Sequence, residues 1–404
     1  MSNIDLTLQP YLKPIAIGTT VLLFFLCLCG TLVTAREALQ GHIDFRQLYT
    51  SGYMARTGHG RELHDFDAAE KFQNVVVGPA VGALPFNHLA YESLIYAPFS
   101  LLRYRAAYVA FFVANLAILA AAFLTLRPYL DPLRDVWALL PVAIFVCFLP
   151  VTLALTEGQD SIILLALMIW ATCAFDRGDD LSAGAFVGLS LFKFQYGLPI
   201  ALLFLVWRRW RFLAGFAATA AGVTAISLWL TGWDGFLAYL HSLTEMSSRF
   251  SPTFGLRYGI RPDLMPNLRG FAQAVAHGAT SASKVMTTIS SAIVLIWTAT
   301  RRPSLPLALL AAILVSYHHL ITDTTMMILP AGLALVAALS PNAKRPTLVG
   351  VLAATIFLAP APLLLTNVRF YLLAIPMLAF LIAWDGTYPA AAGTRFGKVP
   401  LSNP

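Results

Sequence analysis

The chain has 404 residues, of which 58% are apolar, and its charged residues are only 27 Lys and Arg and 20 Asp and Glu. A globular protein carries charge on roughly a quarter of its residues. The sequence therefore excludes a soluble enzyme, a disordered chain and a nucleic-acid-binding protein. The net charge of +7 does not indicate nucleic acid, because membrane proteins collect Lys and Arg in their cytoplasmic loops. The four cysteines lie in apolar runs and are typical of buried apolar residues.

Apolar runs of membrane-helix length follow one another along the chain. A bilayer core about 30 Å thick needs roughly 20 apolar residues per helix. The runs that qualify are 14–35, 105–126, 136–155, 160–175, 212–231, 284–300, 305–319, 323–340, 347–363 and 370–385. The first is longer than the apolar part of a signal peptide and has no small-residue cleavage site after it, so we expect a helix that stays in the protein.

The stretch 181–207 is apolar but is interrupted by Lys193-Phe194-Gln195. Read as one helix, it would place the Arg-rich segment 208–211 outside, against the positive-inside rule. Read as two half-helices that meet near Lys193, it returns the chain to the cytoplasm. Interrupted apolar segments also tend to build polar sites in membrane proteins. We therefore predict a hairpin with Lys193 at its tip.

These runs predict an all-α polytopic membrane protein with about 12 transmembrane helices and both termini inside. The short inner loops then hold ten Lys and Arg residues and the short outer loops two, Lys193 and Arg369. We expect one integral domain over 1–386 and a short cytoplasmic tail over 387–404. The outer segments 36–104 and 232–283 are long enough to be functional. The first is predicted to carry short helices over 45–57 and 65–77.

Polar residues that are costly near a bilayer gather on the predicted outer face. They are Asp44, Thr156-Glu157-Gly158-Gln159-Asp160, Lys193 and Tyr317-His318-His319. Twelve of the 20 acids lie in outer segments: Asp44, Glu62, Asp65, Asp67, Glu70, Glu92, Glu157, Asp160, Asp234, Glu245, Asp263 and Asp323. The sequence thus predicts a site that opens on the outer side.

Each of these residues also has a structural interpretation. Asp44 suits the N-cap of the helix that follows it, and Glu157 and Asp160 suit the cap of the fourth helix. Lys193 could extend to the membrane interface. Two consecutive histidines on a helix point about 100° apart, so at most one of them faces a site.

The combination of a carboxylate base, a cation and a histidine at one face suggests group transfer from a lipid phosphate. The sequence has no P-loop, Rossmann, HExxH or CxxC motif, so nucleotide-driven and zinc chemistry lack support. Asp65-Phe66-Asp67 is similar in its letters to a metal-chelating pair, but its place before an amphipathic helix favours capping.

Several short motifs follow one another over residues 40–335. In the first outer loop they are His42-Ile43-Asp44-Phe45 with Tyr49 and Gly52, Gly58, Leu63-His64-Asp65, and Leu84-Pro85-Phe86-Asn87-His88 through Tyr96-Ala97-Pro98-Phe99. Later they are Gly158-Gln159-Asp160, Gly188-Leu189-Ser190 with Lys193 and Pro199, Arg208-Arg209-Trp210-Arg211, Asn267-Leu268-Arg269-Gly270 and Ser316-Tyr317-His318-His319. Their order resembles glycosyltransferase family 87, mannosyltransferases of the GT-C type that use polyprenyl-phosphate donors. The chain departs from the family at Leu89-Ala90, where Pro-Pro is usual, and at the following Glu92.

The resemblance implies roles for individual residues. Asp44 matches the family's general base, and Lys193 and Arg269 match residues that hold the donor phosphate. The family's outer-face histidine falls on His318 or His319; we favour His318, in protonated form, as the catalytic one. The remaining candidate substrate-binding residues are Gln159, His319, Asn267 and Glu157.

The resulting hypothesis is an inverting transfer of a hexose, expected to be mannose, from a polyprenyl-phosphate-sugar donor to a hydroxyl of a lipid or glycan acceptor. It requires no cofactor, metal or nucleic acid. The enzyme would be a multi-pass protein of the cell membrane, expected in the bacterial inner membrane, with its site facing the periplasm or outside. The alternatives are a polytopic transporter or lipid flippase of the cell envelope, and a non-catalytic partner in an envelope complex.

Overall fold

The computed structural model describes residues 9–79, 84–248, 262–340, 345–366 and 369–389. Over these residues it is helical with short connecting turns and no strand, which confirms the predicted all-α class. The α-helices in chain order are α1 (Gln9–Gln40), α2 (Phe45–Arg56), α3 (Phe66–Val76), α4 (Ser93–Tyr96), α5 (Tyr104–Leu130), α6 (Leu140–Val146), α7 (Leu149–Thr156), α8 (Ser161–Asp176), α9 (Asp180–Leu189), α10 (Phe194–Val206), α11 (Trp210–Ser248), α12 (Leu268–Val275), α13 (Thr280–Ala299), α14 (Leu305–Val315), α15 (Ile328–Leu339), α16 (Pro346–Leu358), α17 (Pro360–Leu365) and α18 (Ala374–Ala383).

By length and composition alone, and with the stretch 180–206 counted as one segment, seven helical segments in these ranges are long and apolar enough to cross a membrane, and three further apolar helices are shorter. The seven are Tyr11–Arg56, Tyr104–Asp135, Asp180–Val206, Trp210–Leu243, Thr280–Ala299, Thr322–Leu339 and Pro346–Leu365. The polytopic architecture is therefore confirmed, whereas the predicted number of about 12 helices is not.

Two predicted spans are each divided into two helices. The run 136–155 forms α6 and α7, with Pro150 in the first turn of α7. The run 347–363 forms α16 and α17, and Pro360 begins the second helix. Proline cannot donate the backbone hydrogen bond that would continue a helix, so a new helix starts at it. Hydropathy alone does not register these breaks.

The predicted hairpin is present in α9 and α10. Four residues of 3₁₀ helix, Ser190–Lys193, join the two helices. Arg209, which follows α10, donates from Nε and Nη2 to the carboxylate of Asp180 at the start of α9, each at 2.8 Å. The beginning of α9 and the end of α10 therefore lie together, and Lys193 lies at the opposite tip. At roughly 1.5 Å per residue, each half-helix is shorter than a bilayer core.

The first half of the hairpin packs closely against α11 through glycines. A Cβ atom at Gly184 would lie 1.9 Å from the Phe212 carbonyl oxygen, and one at Gly215 would lie 2.0 Å from that of Leu181. Small residues at such contacts allow membrane helices to approach backbone to backbone. This contact fixes the hairpin, and with it the position of Lys193.

The core of the membrane domain is built on α8, α14 and α15. Every side chain from Leu305 to Leu314 in α14 is buried. By contrast, α1, α5, α11 and α13 expose large apolar side chains such as Val33, Leu124, Trp229 and Ile293. An apolar surface of this kind suits contact with lipid chains.

The first outer segment contains the two predicted short helices, α2 and α3. Asp65 Oδ1 accepts hydrogen bonds from the backbone nitrogens of Asp67 and Ala68, at 2.9 and 3.0 Å. The prediction that Asp65 caps a helix is therefore confirmed. The predicted cytoplasmic tail lies, from residue 390 onward, outside the described residues.

Candidate active site

Asp44 lies at the N-cap position of α2, but its side chain makes no capping hydrogen bond. Gln159 Nε2 donates instead to Asp44 Oδ2. The other carboxylate oxygen has no hydrogen-bond partner among the residues that the structure describes, and the side chain is partly exposed. The capping interpretation of Asp44 is therefore wrong. The carboxylate is oriented by an amide on one oxygen and is open on the other.

The turn Thr156–Asp160 brings Gln159 to Asp44. Gly158 has φ +61°, and a Cβ there would lie 2.7 Å from Phe45 Cβ, so glycine allows the turn to contact α2. The Phe45 backbone nitrogen donates to the Glu157 carbonyl at 3.0 Å. From α5, Asn115 Nδ2 donates to the Gln159 carbonyl at 3.1 Å. Contacts from α2 and α5 thus fix the position of the turn that carries the Gln159 amide.

Lys193 is enclosed at the tip of the hairpin, with 3% of its surface exposed. Its Nζ lies 2.5 Å from Asp323 Oδ1, 2.6 Å from Asp160 Oδ1 and 3.3 Å from Ser161 Oγ. Ser161 and Asp323 accept hydrogen bonds from this ammonium, and the Asp160 carboxylate lies at ion-pair distance. The interpretation that Lys193 extends to the membrane interface is wrong. Its direct contact with a donor phosphate stays a prediction, and the two carboxylates already neutralise its charge.

The two carboxylates around Lys193 come from opposite sides of the cluster. Asp160 begins α8 but makes no side-chain cap, so its predicted capping role is wrong. Asp323 is 1% exposed and also accepts from Ser161 Oγ at 2.6 Å and from Tyr196 OH at 3.0 Å. Sequence reasoning counted Asp323 only as an outer acid. Its position at the start of an otherwise apolar run was the feature that could have indicated a site residue.

A second buried pair, His88 and Glu92, joins this cluster from the first outer segment. His88 Nδ1 bonds to Glu92 Oε2 and lies 3.4 Å from Asp160 Oδ2. Tyr96 OH donates to the other oxygen of Glu92 at 3.0 Å. Sequence reasoning placed neither residue in the site, although a His and a Glu four residues apart can meet on one turn of helix.

Burial and charge shift the pKa values of this pair. Burial raises the pKa of Glu92 to about 7, against the opposing effect of His88. Burial pulls the pKa of His88 down, but the carboxylates of Glu92 and Asp160 outweigh it and hold that pKa above its usual value. His88 is thus favoured as an imidazolium near neutral pH.

The two consecutive histidines lie in a loop after α14 and not on a helix, because that helix ends at Val315. His319 is 0% exposed and uses both ring nitrogens, Nδ1 with Tyr196 OH at 2.8 Å and Nε2 with Thr324 Oγ1 at 3.1 Å. His318 is partly exposed, and its Nδ1 has no partner among the described residues. Of the two, His318 is the one available to a ligand.

The surroundings of His318 disfavour its predicted protonated state in the protein without ligand. Burial, together with the charges of Lys193, Arg269 and His88, lowers the pKa of His318 to about 4 against the opposing effect of Asp323. A histidine with this pKa is neutral at pH 7. It can still donate or accept a hydrogen bond at a phosphate, but it brings no charge of its own.

Asn267 and Arg269 hold the same loop from α12. Asn267 is 0% exposed; its Oδ1 accepts from the Gly270 nitrogen at 3.1 Å and its Nδ2 donates to the Ser316 carbonyl at 2.7 Å. Asn267 therefore caps α12 and holds the loop, and its contact with substrate stays a prediction. Arg269 donates to the Tyr317 carbonyl at 2.6 Å and lies over the Tyr317 ring at 4.3 Å, with its side chain partly exposed.

Glu157 is the remaining predicted binding residue. It lies in the turn beside Asp44, is partly exposed, and makes no side-chain hydrogen bond or ion pair within the described ranges. Burial raises its pKa to about 8, and the charges of Asp44 and Asp323 add to that rise. Glu157 therefore carries a proton near neutral pH, and its predicted cap role is not seen.

Two cavities differ in chemistry. One of about 20 Å³, room for about one water, lies at this face and is lined by Asn87, His88, Phe194, Gln195, Leu243, Tyr317 and His318. The other has about 390 Å³ and lies between α1, α6, α15 and α16, away from the polar cluster. Its lining is almost wholly apolar, so it suits lipid chains and offers no group for catalysis.

His88, Glu92 and Asp160 form the group among the described residues that could hold a metal ion, with ligand atoms within 4.8 Å of one another. The Lys193 ammonium already lies 2.6 Å from Asp160 Oδ1. A metal ion would be repelled by that charge and would compete for the same carboxylate. These three side chains therefore suit an ion-pair network better than a metal centre.

A comparison with family sequence models decides the class of the protein. The model of glycosyltransferase family 87 matches residues 92–330, more than half of the chain. The chain belongs to glycosyltransferase family 87. No match was found among curated proteins or solved structures. The family match includes Asp160, Lys193, Asp323 and His318, whereas Asp44 precedes it.

Proposed function

We propose that this family 87 glycosyltransferase moves a hexose, expected to be mannose, from a polyprenyl-phosphate-sugar donor to a hydroxyl of a lipid or glycan acceptor. Family membership supplies the reaction class, a membrane glycosyltransferase with a sugar donor and an acceptor. A lipid-linked donor agrees with a chain that carries no nucleotide-binding motif and whose helices expose large apolar surfaces.

The observation that carries the proposal is the state of Asp44. An aspartate at an N-cap position would normally bond to backbone nitrogens, but this one bonds to Gln159 and keeps one oxygen open. A partly exposed carboxylate with a fixed orientation suits a general base that accepts the proton of an acceptor hydroxyl. No other role for Asp44 is evident in its contacts.

The proposed reaction is one displacement. The acceptor oxygen forms a bond to C1 of the sugar while the bond between C1 and the phosphate oxygen breaks, and Asp44 takes the hydroxyl proton. The polyprenyl phosphate leaves with the electron pair and one further negative charge. Arg269 is near enough to the surface to meet that phosphate, His318 can supply a neutral hydrogen bond, and Lys193 acts through its field. A single displacement inverts the configuration at C1.

We propose that the site faces the outside of the cell membrane. Arg177, Arg209 and Arg301 lie at the ends of α8, α10 and α13, and Trp207 Nε1 bonds to the Ala299 carbonyl there at 3.1 Å. The hairpin tip with Lys193 is at the opposite end. Basic residues are typical of the cytoplasmic side, which supports a polar cluster that faces the outer side.

The test is an assay of the purified protein in detergent with polyprenyl-phosphate-mannose and a membrane lipid extract, read by mass spectrometry. We expect a product heavier than an acceptor by one hexose, and none with GDP-mannose as control donor. A protein that moves labelled lipid across proteoliposomes but incorporates no sugar would contradict the proposal and favour a transporter or flippase. Sugar incorporation from GDP-mannose would contradict the lipid-linked donor.

A further inference from the structure

The His88 ring is held on one side by two carboxylates. Its Nδ1 bonds to Glu92 and lies 3.4 Å from Asp160 Oδ2, while Tyr96 OH fixes Glu92 at 3.0 Å. Glu92 and Asp160 are both 0% exposed. A histidine oriented in this way keeps Nδ1–H toward the carboxylates, and its second nitrogen, Nε2, is directed to the other side of the ring.

The His88 ring also lines the small cavity at the same face. His88 Nε2 has no hydrogen-bond partner among the described residues, and the ring lines the cavity of about 20 Å³ together with Asn87, Gln195 and His318. His318, which also lines the cavity, has a buried Nδ1 without a hydrogen-bond partner among the described residues. The cavity accommodates one water-sized group, such as one oxygen of a phosphate.

The charges around His88 distinguish it from Lys193. Lys193 lies between Asp160 and Asp323, whose carboxylates neutralise its charge. His88 faces Glu92 and Asp160 on one side and has one free N–H when it is protonated. His64 and His318, the other titratable neighbours, are neutral near pH 7, because burial lowers the pKa of each to about 4.

We propose that His88, positioned by Glu92 and Asp160, is the residue that donates a charged hydrogen bond to the phosphate of the lipid-linked donor. This inference rests on the proposed function and adds a group to it. As the bond between C1 and oxygen breaks, the developing second charge of the phosphate lies against the imidazolium N–H. No proton leaves His88: the acceptor proton goes to Asp44 and the phosphate departs as the free anion. A charged hydrogen bond of this kind stabilises the leaving group most when its charge is fully developed.

The test compares His88→Gln and Glu92→Gln with the unchanged protein in the hexose transfer assay from pH 5 to 9. His88→Gln removes the charge and should lower kcat/KM for the donor by about 10²–10³-fold, the usual effect of losing one such donor, with little change in KM for the acceptor. The activity of the unchanged protein should fall as pH rises through the raised pKa of His88. Glu92→Gln removes a neighbouring negative charge, so that fall should move to lower pH.

The matched control is the exposed pair His59 and Glu62, whose Nδ1 and Oε1 atoms lie 3.3 Å apart. His59→Gln and Glu62→Gln remove the same chemical pair from the surface and should leave kcat/KM and the pH profile unchanged.

Binding of polyprenyl phosphate gives a second readout that needs no turnover: His88→Gln should weaken it about tenfold or more. Inorganic phosphate should inhibit competitively with the donor and not with the acceptor, which distinguishes a donor phosphate from the headgroup of an acceptor lipid.

The outcomes separate the inference from the proposed function. If the unchanged protein transfers hexose and His88→Gln keeps kcat/KM within about twofold with the same pH profile, the role of His88 is wrong and the proposed function stands. If inhibition by phosphate competes with the acceptor, the assignment to the donor is wrong. If the unchanged protein transfers no hexose from any polyprenyl-phosphate donor, both are wrong.

Discussion

Two groups of polar residues at one end of the molecule differ in how completely their atoms are paired. In the first, Lys193 with Asp160 and Asp323, the ammonium is enclosed and its charge is paired with two carboxylates at 2.6 and 2.5 Å. In the second, the partly exposed Asp44 and His318, an oxygen and a nitrogen have no partner among the described residues. We infer that the paired group holds the site in shape and the incompletely paired group contacts substrate.

The largest effect on stability should follow from breaking the paired group at Lys193. Lys193→Met leaves Asp160 and Asp323 buried without their counter-ion, which we expect to lower the free energy of unfolding by about 3–5 kcal/mol. Thermal unfolding in detergent measures this as a lower Tm. The double variant Lys193→Met/Asp323→Asn should recover part of the loss, because one buried charge is removed. An unchanged Tm with lost activity would instead make Lys193 a direct phosphate ligand.

Substitutions of His319 and His318 should differ in the same way: the first should lower stability and the second should lower activity. The loss of stability should be smaller than for Lys193→Met. His319→Phe loses hydrogen bonds to Tyr196 and Thr324 in a fully buried place, and should cost about 1–3 kcal/mol. His318→Phe breaks no side-chain hydrogen bond and should keep Tm while it lowers the transfer rate. Unfolding curves and rates for the two variants, prepared in parallel, check this. A stable, inactive His319→Phe would reverse our assignment.

The smallest effect is expected at Glu157, and it should depend on pH. Its folded pKa of about 8 lies above the ordinary value of 4.5 for a glutamate, so ionising it costs stability in the folded protein. The stability of the unchanged protein should therefore fall as pH rises from 4.5 to 8, relative to Glu157→Gln, and stay constant above that. Tm values of both proteins at pH 5, 7 and 9 measure the difference. A difference that does not grow with pH would show that Glu157 is ionised at neutral pH.

The sequence predicts most of the fold, because long apolar runs indicate which stretches are buried in lipid or in the protein core. The hairpin at Lys193 followed from an interrupted apolar run together with the charge rule, and the structure contains it. Hydropathy did not find the breaks at Pro150 and Pro360, because the flanking residues stay apolar on both sides. The number of helices was therefore the feature of the fold that hydropathy predicted least well.

The site was predicted less completely, because its contacts join residues far apart in the chain. Asp160 and Lys193 were both expected at the outer face, but their pairing with Asp323 depends on how three helices pack. The sequence shows His88 only as part of a motif, because nothing in the sequence indicates that it lies against Asp160. Conversely, Asn267 and His319 resembled site residues by type, and only their burial shows that they hold the loop.

The most direct test of this account is the single-turnover rate of hexose transfer per folded molecule for Asp44→Asn and Asp323→Asn, with Asp65→Asn as the control for an aspartate that only caps a helix. Loss of a general base should lower the Asp44→Asn rate by about 10²–10⁴-fold at unchanged Tm. Asp323→Asn should lower Tm and keep the rate of the folded fraction within about tenfold, and Asp65→Asn should keep the full rate. An Asp44→Asn protein with a rate within about twofold of the unchanged enzyme would contradict the account.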